Sequence, residues 1–237
     1  MVNNDIELQK MFIEARHNKN LVFANIAQNL TQVIKENSKE FPQNSMDLVN
    51  NRLSMFYPQK KQTITVDSNR IIVDIDQPAG VDTFYSVSYN AITNIVNILK
   101  IDNFIRIGVR AFWGINVKDA IETNKKIVKK FVKLDNEELD IFGTNLRNFH
   151  FGFTTTYDKY KINYNFIPGS VQNINITQNG TNIYVKNYIM ADIDFYIDSI
   201  VQSDEIISFI RKACNESQKR AKKYFDLIGG KINGNWR

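Results

Sequence analysis

Residues 151–166 read FGFTTTYDKYKINYNF, two β-rich runs separated only by Asp158-Lys159. A two-residue loop is among the tightest connections between antiparallel strands and fixes their register. It pairs Tyr157 with Tyr160, Thr155 with Ile162, Phe153 with Tyr164 and Phe151 with Phe166. Side chains alternate across a strand, so these pairs form an aromatic ladder on one face. Strands are predicted over 148–157 and 160–167.

Toward the C-terminus, Asn179-Gly180 forms a second turn signal, predicted to pair Ile176 with Ile183 and Ile174 with Val185. The strand leaving it extends to Ile197, longer than most, and a bulge or break is expected near Ala191. Ser203 or Asp204 then opens a long helix with a predicted buried stripe of Ile206, Ile210, Ala213, Cys214, Ser217, Ala221, Tyr224, Phe225 and Ile228. Gly229-Gly230 ends it.

Toward the N-terminus, residues 6–15 favour a strand. Asn20 is positioned to cap a helix with apolar residues at helical spacing from Val22 to Ile34, stopped by Phe41-Pro42. Strands are predicted over 52–57, 62–66 and 70–76, the last two joined at Asp67-Ser68-Asn69. Asp82 is the expected cap of a helix carrying Phe84, Val87, Ala91, Ile92, Ile95, Ile98 and Leu99 on one face. Over 103–113, Ile105, Ile107, Val109 and Ala111 alternate with Phe104, Arg106, Gly108, Arg110 and Phe112, as in a strand. An amphipathic helix over 117–133 is expected to bury Ile121, Ile127, Val128 and Phe131, followed by a helical turn over 136–142.

The fold class is therefore α+β, a largely antiparallel sheet packed against amphipathic helices with a long helix near the C-terminus. Two subdomains sharing a sheet are one organisation, a helix-interrupted segment 1–133 and a strand-rich segment 134–230, with 231–237 a loose tail. At 237 residues and 43% hydrophobic content the chain can bury a sizeable core. Its polar N-terminal residues and single cysteine, Cys214, point to an intracellular, cytoplasmic protein without disulfides or membrane association.

Two stretches carry a family resemblance: Arg106-Ile107-Gly108-Val109-Arg110, and Asp192-Ile193-Asp194-Phe195-Tyr196 leading into the final helix. Together with the order of elements from about Gln62 onward, the chain resembles a sporadically distributed family of uncharacterised bacterial proteins. Members usually have Tyr or Phe directly after the arginine and an Asn-Arg pair soon after. Here Ala111 precedes Phe112-Trp113, and Asn116 has no arginine behind it. The resemblance implies an α+β fold and supplies no activity or site residues.

Nucleotide loops of the G-x-x-x-x-G-K-[ST] or G-x-G-x-x-G type do not occur in the sequence. The two histidines, His17 and His150, lack a nucleophile in a recognisable setting, and surface or structural roles are expected for both. Asp192 and Asp194 share a strand face, as do Asp74 and Asp76. Such carboxylates can hold a divalent metal if a third ligand arrives, or pair with Arg106 and Arg110, and the ion-pair lattice is the commoner arrangement.

The charge pattern is stronger. The helix over 118–133 carries Lys118, Lys125, Lys126, Lys129, Lys130 and Lys133 against two acids. The final helix carries Arg211, Lys212, Lys219, Arg220, Lys222 and Lys223 against Glu205, Glu216 and Asp226. If coplanar, these faces can follow a phosphate backbone or an acidic protein, although solvated helix faces look the same in sequence. The aromatic ladder either packs under the final helix or stacks bases.

The leading expectation is a non-enzymatic module that binds another protein or itself, in a phage, mobile-element or bacterial defence setting. Nucleic-acid binding through the two basic helices is the alternative, and a metal-dependent hydrolase on Asp192 and Asp194 the third. No cofactor is expected.

Overall fold

The computed structural model describes residues 6–18, 26–47, 49–117, 120–131, 150–177 and 180–228. In chain order the elements are β1 (Ile6–Arg16), α1 (Ile26–Asn37), β2 (Gln43–Asp47), β3 (Arg52–Tyr57), β4 (Gln62–Asp67), β5 (Arg70–Asp76), α2 (Val81–Leu99), β6 (Asn103–Phe104), β7 (Arg106–Val117), α3 (Ala120–Phe131), β8 (Phe151–Tyr157), β9 (Tyr160–Thr177), β10 (Gly180–Ile197), β11 (Val201–Gln202) and α4 (Ile206–Leu227). The fold is α+β, with a long helix near the C-terminus.

Nine strands form one sheet in the order β2-β3-β4-β5-β1-β7-β10-β9-β8. Every neighbouring pair is antiparallel. The two chain segments 1–133 and 134–230 meet within this sheet, where β10 pairs with β7 from Asn187↔Val117 to Ile197↔Ile107. β1 lies in the middle because both of its flanks are paired, to β5 and to β7.

Alternation explains why the sheet is two-sided. On β1, Met11, Ile13 and Ala15 are buried while Phe12 and Glu14 stand on the opposite face. The same period places Ile107, Val109, Ala111 and Trp113 of β7, and Ala191, Ile193 and Phe195 of β10, in the core. α2 and α4 cover that face, α1 packs on α2, and α3 sits against β9 and β10. Ile206, Phe209, Ile210, Ala213, Cys214, Ser217, Ala221, Tyr224 and Phe225 form the buried stripe of α4. Phe209 adds to the expected stripe, and Ile228 lies at its edge, only partly buried. Inside, the Trp113 indole N–H donates to the Ser217 hydroxyl at 3.0 Å, so one of the largest core side chains has its polar atom satisfied. Among the described residues no helix is long and apolar enough to cross a membrane.

The structure corrects several expectations. Pairing at the β9–β10 turn is Thr177↔Gly180, Thr181↔Ile176 and Ile183↔Ile174, two residues from the predicted register. Gly180 is the first strand residue rather than part of the loop, and moving a turn's centre by one residue shifts register by two while preserving faces. β10 has no break at Ala191: its partners on both sides run in regular register through that residue. The irregularity falls in β1, between Leu8 and Lys10 against β7. Asp82 is not a cap. Gly80 holds that place without a side-chain bond, and Asp82 sits in the first turn of α2, where its charge complements the helix N-terminus.

The predicted 103–113 alternation fails at its start. β6 is separate and pairs with β11, so Phe104 is buried and Ile105 exposed. Val117 ends β7 rather than opening a helix, and Phe131 of α3 is 37% exposed rather than buried. The predicted cap Asn20, the turn over 136–142, the Gly229-Gly230 stop and the tail lie outside the described residues.

Candidate functional site

Two surfaces collect the polar residues singled out by sequence. The first is the face of the sheet opposite the helices. Its centre is set by register: Asp194 stands beside Arg110, which stands beside Phe12, and Asp192 stands beside Phe112. Arg110 donates to Asp192 from Nε at 2.7 Å and from Nη2 at 2.6 Å, and Asn165 adds a bond to the same carboxylate at 3.2 Å. Asp192 is thereby closed off from solvent.

Arg106 is held more loosely. Its guanidinium lies 3.3 Å from Glu14, 3.6 Å from Asp194 and 3.7 Å from Asp198, above the Tyr196 ring at 5.0 Å. Gly108 makes room for this arrangement. A Cβ there would come within 3.2 Å of both Asp194 Oδ1 and Tyr196 Cβ, and 3.6 Å from Arg106. Burial raises the Asp194 carboxyl above its ordinary value, against the pull of Arg106 and Arg110. Lys10 bridges Asp74 at 2.8 Å and Asp76 at 3.0 Å, while Lys161 meets Asp198 at 2.8 Å. This is an ion-pair lattice in which cations and carboxylates answer one another across five strands.

The second surface lies on the helix side. α3 and α4 meet near their C-terminal ends, where Lys130 Nζ donates to the Leu227 carbonyl and Phe131 stacks on Tyr224 at 5.7 Å. The C-terminal ends of the two helices are therefore in contact. Lys129, Lys219, Lys222 and Lys223 are exposed. Lys125 pairs with Glu122 at 3.2 Å and Lys219 with Glu216 at 3.7 Å. Among the described residues no carboxylate pairs with Lys129, Lys222 or Lys223. Lys118 and Lys133 lie outside the described residues, as does the side chain of Lys126.

The aromatic ladder divides between core and surface. Its predicted register is the observed one, from Tyr157↔Tyr160 to Phe151↔Phe166. Tyr160, Tyr164 and Phe166 on β9 are buried, with Tyr224 of α4 stacked on Phe166 at 3.9 Å. On β8, the last strand of the sheet, Phe153 is 48% and Tyr157 52% exposed. Cations of α4 border these rings. Lys212 sits 3.9 Å from the Tyr160 ring, Arg220 donates to the Tyr164 hydroxyl at 2.6 Å, and both lie 5.7 Å from Tyr157.

The sequence marks Arg220 as a charge but not as the partner of tyrosines, and carries no signal that ties Lys212 or Phe131 to the ladder. The missing information was the place of β8 at the sheet edge. The histidines do not join either surface. His17 is buried, its Nδ1 2.8 Å from the Asn18 carbonyl and its pKa lowered by burial, and His150 is exposed.

No family model matches the sequence, and no curated protein matches it.

Proposed function

We propose that the chain is a non-enzymatic binding module that engages an acidic macromolecule, a protein surface or a nucleic acid, through the basic faces of α3 and α4. The observation that carries this reading is the sorting of charge between the two faces. On the open sheet face, Lys10, Arg106, Arg110 and Lys161 each lie within 4 Å of a carboxylate, whereas Lys129, Lys222 and Lys223 on the helix side have no such match among the described residues. Unmatched cations gathered on one surface attract polyanions and accelerate their encounter.

The same contrast argues against hydrolysis at Asp192 and Asp194. A carboxylate that accepts two bonds from Arg110 and a third from Asn165 offers few lone pairs to a metal. Cys214 is a poor nucleophile, because burial pushes its thiol up to about 12.

Heparin chromatography tests the reading. The wild-type chain is expected to bind and to elute only with added salt. The variant carrying Lys129→Glu, Lys219→Glu, Lys222→Glu and Lys223→Glu is expected in the flow-through. Co-elution of the two would refute a helix-side site.

A further inference from the structure

We infer that the aromatic strip along β8, bordered by α4 and ending at Phe131 of α3, is a site for single-stranded nucleic acid, its rings stacking on unpaired bases while the helix cations hold phosphates. This rests on the reading of the α3–α4 surface as a polyanion site and narrows its ligand.

Two independent features coincide here. The first is the exposure of Phe153, Tyr157 and Phe131 in one neighbourhood: Phe153 lies 6.4 Å from Phe151, which in turn lies 5.9 Å from Phe131. Single exposed rings are ordinary on protein surfaces, but here Phe153 and Phe131 are linked through Phe151, and Tyr157 follows four residues along the same strand. The second is the row of cations alongside, with Lys212 and Arg220 each 5.7 Å from Tyr157 and the exposed Lys219 and Lys223 on the same helix. A groove that follows phosphates beside rings that accept bases is the general arrangement for single strands.

The rings are also held in place. Phe153 rests on Tyr164 at 4.9 Å with an interplanar angle of 27°, and Tyr164 is fixed by Arg220. Stacking on a ring already ordered by its neighbours costs little further entropy. Duplex bases present their faces only to each other, so the strip discriminates against paired strands. An acidic protein would satisfy the cations and leave the rings unused.

Fluorescence anisotropy of the full chain with labelled dT15, the dT15·dA15 duplex and labelled poly-L-glutamate tests the inference. The expected order has dT15 bound at least tenfold more tightly than the duplex. Phe153→Ala with Tyr157→Ala should weaken dT15 binding at least tenfold and leave poly-L-glutamate unchanged. Tyr157→Phe should retain binding of dT15, and a thermal melt verifies that each variant is folded. If poly-L-glutamate binds while dT15 binds no better, or the paired alanine variant leaves dT15 unaffected, the nucleic-acid inference falls and the polyanion reading stands. If none of the three binds at low salt, both fall.

Discussion

Arg110 grips Asp192 through two parallel hydrogen bonds, although its own side chain is 38% exposed and that of Asp192 only 2%. The asymmetry decides what each substitution does. Removing Arg110 takes away the paired charge and two of the hydrogen bonds to a buried carboxylate, with Asn165 left beside it. Removing the charge of Asp192 leaves an arginine that can turn to solvent. Arg110→Ala is expected to cost about 2 kcal/mol, less than for a fully buried pair because the arginine is partly exposed, and Asp192→Asn about 1 kcal/mol. Urea unfolding of the two variants against wild type measures the difference.

Asp194, two residues along the same strand, is expected to behave in the opposite sense. Burial raises its carboxyl above the ordinary 3.8, so the folded state takes up a proton more readily than the unfolded chain. Stability from this group is lowest when both states are ionised. It rises as pH falls through the raised folded value and levels off below 3.8. Asp194→Asn should therefore be at least as stable as wild type at pH 7, with a flatter pH dependence on the acid side. Thermal melts of both proteins between pH 3 and pH 7 check the sign.

The register of the aromatic hairpin, the stripe of α4 and the shared face of Arg106 and Arg110 were legible because each follows from local spacing. Asp158-Lys159 fixes β8 against β9 whatever surrounds them. The Thr177↔Gly180 closure lies one residue before the turn that Asn179-Gly180 predicts, a difference that the local dipeptide signal does not encode. Sheet order was not legible at all. Nothing near β1 says that it will insert between β5 and β7, and nothing in β8 says that it will be an edge. Hence Tyr157 and Tyr160, equivalent by pattern, end as an exposed ring and a buried one. The meeting of α3 and α4 likewise depends on contacts between residues 97 positions apart, Lys130 and Leu227.

Trp113 and Ser217 link β7 to α4 through a buried bond. Ser217→Ala removes its acceptor and should destabilise by about 2 kcal/mol. Ser217→Thr keeps the hydroxyl but adds a methyl to a filled core, so its cost arises from packing rather than polarity. Guanidinium titration followed by circular dichroism should show both midpoints lowered, with an unchanged slope.

Cys214 provides a reporter of opening. Its thiol is buried and shifted to about 12, so little thiolate is present or accessible at pH 8. An Ellman reagent is expected to label the native chain slowly and the urea-unfolded chain at once. Arg110→Ala should accelerate native labelling if its destabilisation is global. A rapid reaction of the wild-type native protein would contradict the packing of α4 described above.

Charge sorting between the two faces is tested most directly by lysine-acetylation footprinting with and without heparin, read residue by residue by mass spectrometry. Protection is expected at Lys129, Lys219, Lys222 and Lys223 on the helices, with unchanged labelling of Lys10 and Lys161, whose carboxylate partners lie on the open sheet face. Protection centred on Lys10 and Lys161, or spread evenly over both faces, would contradict it.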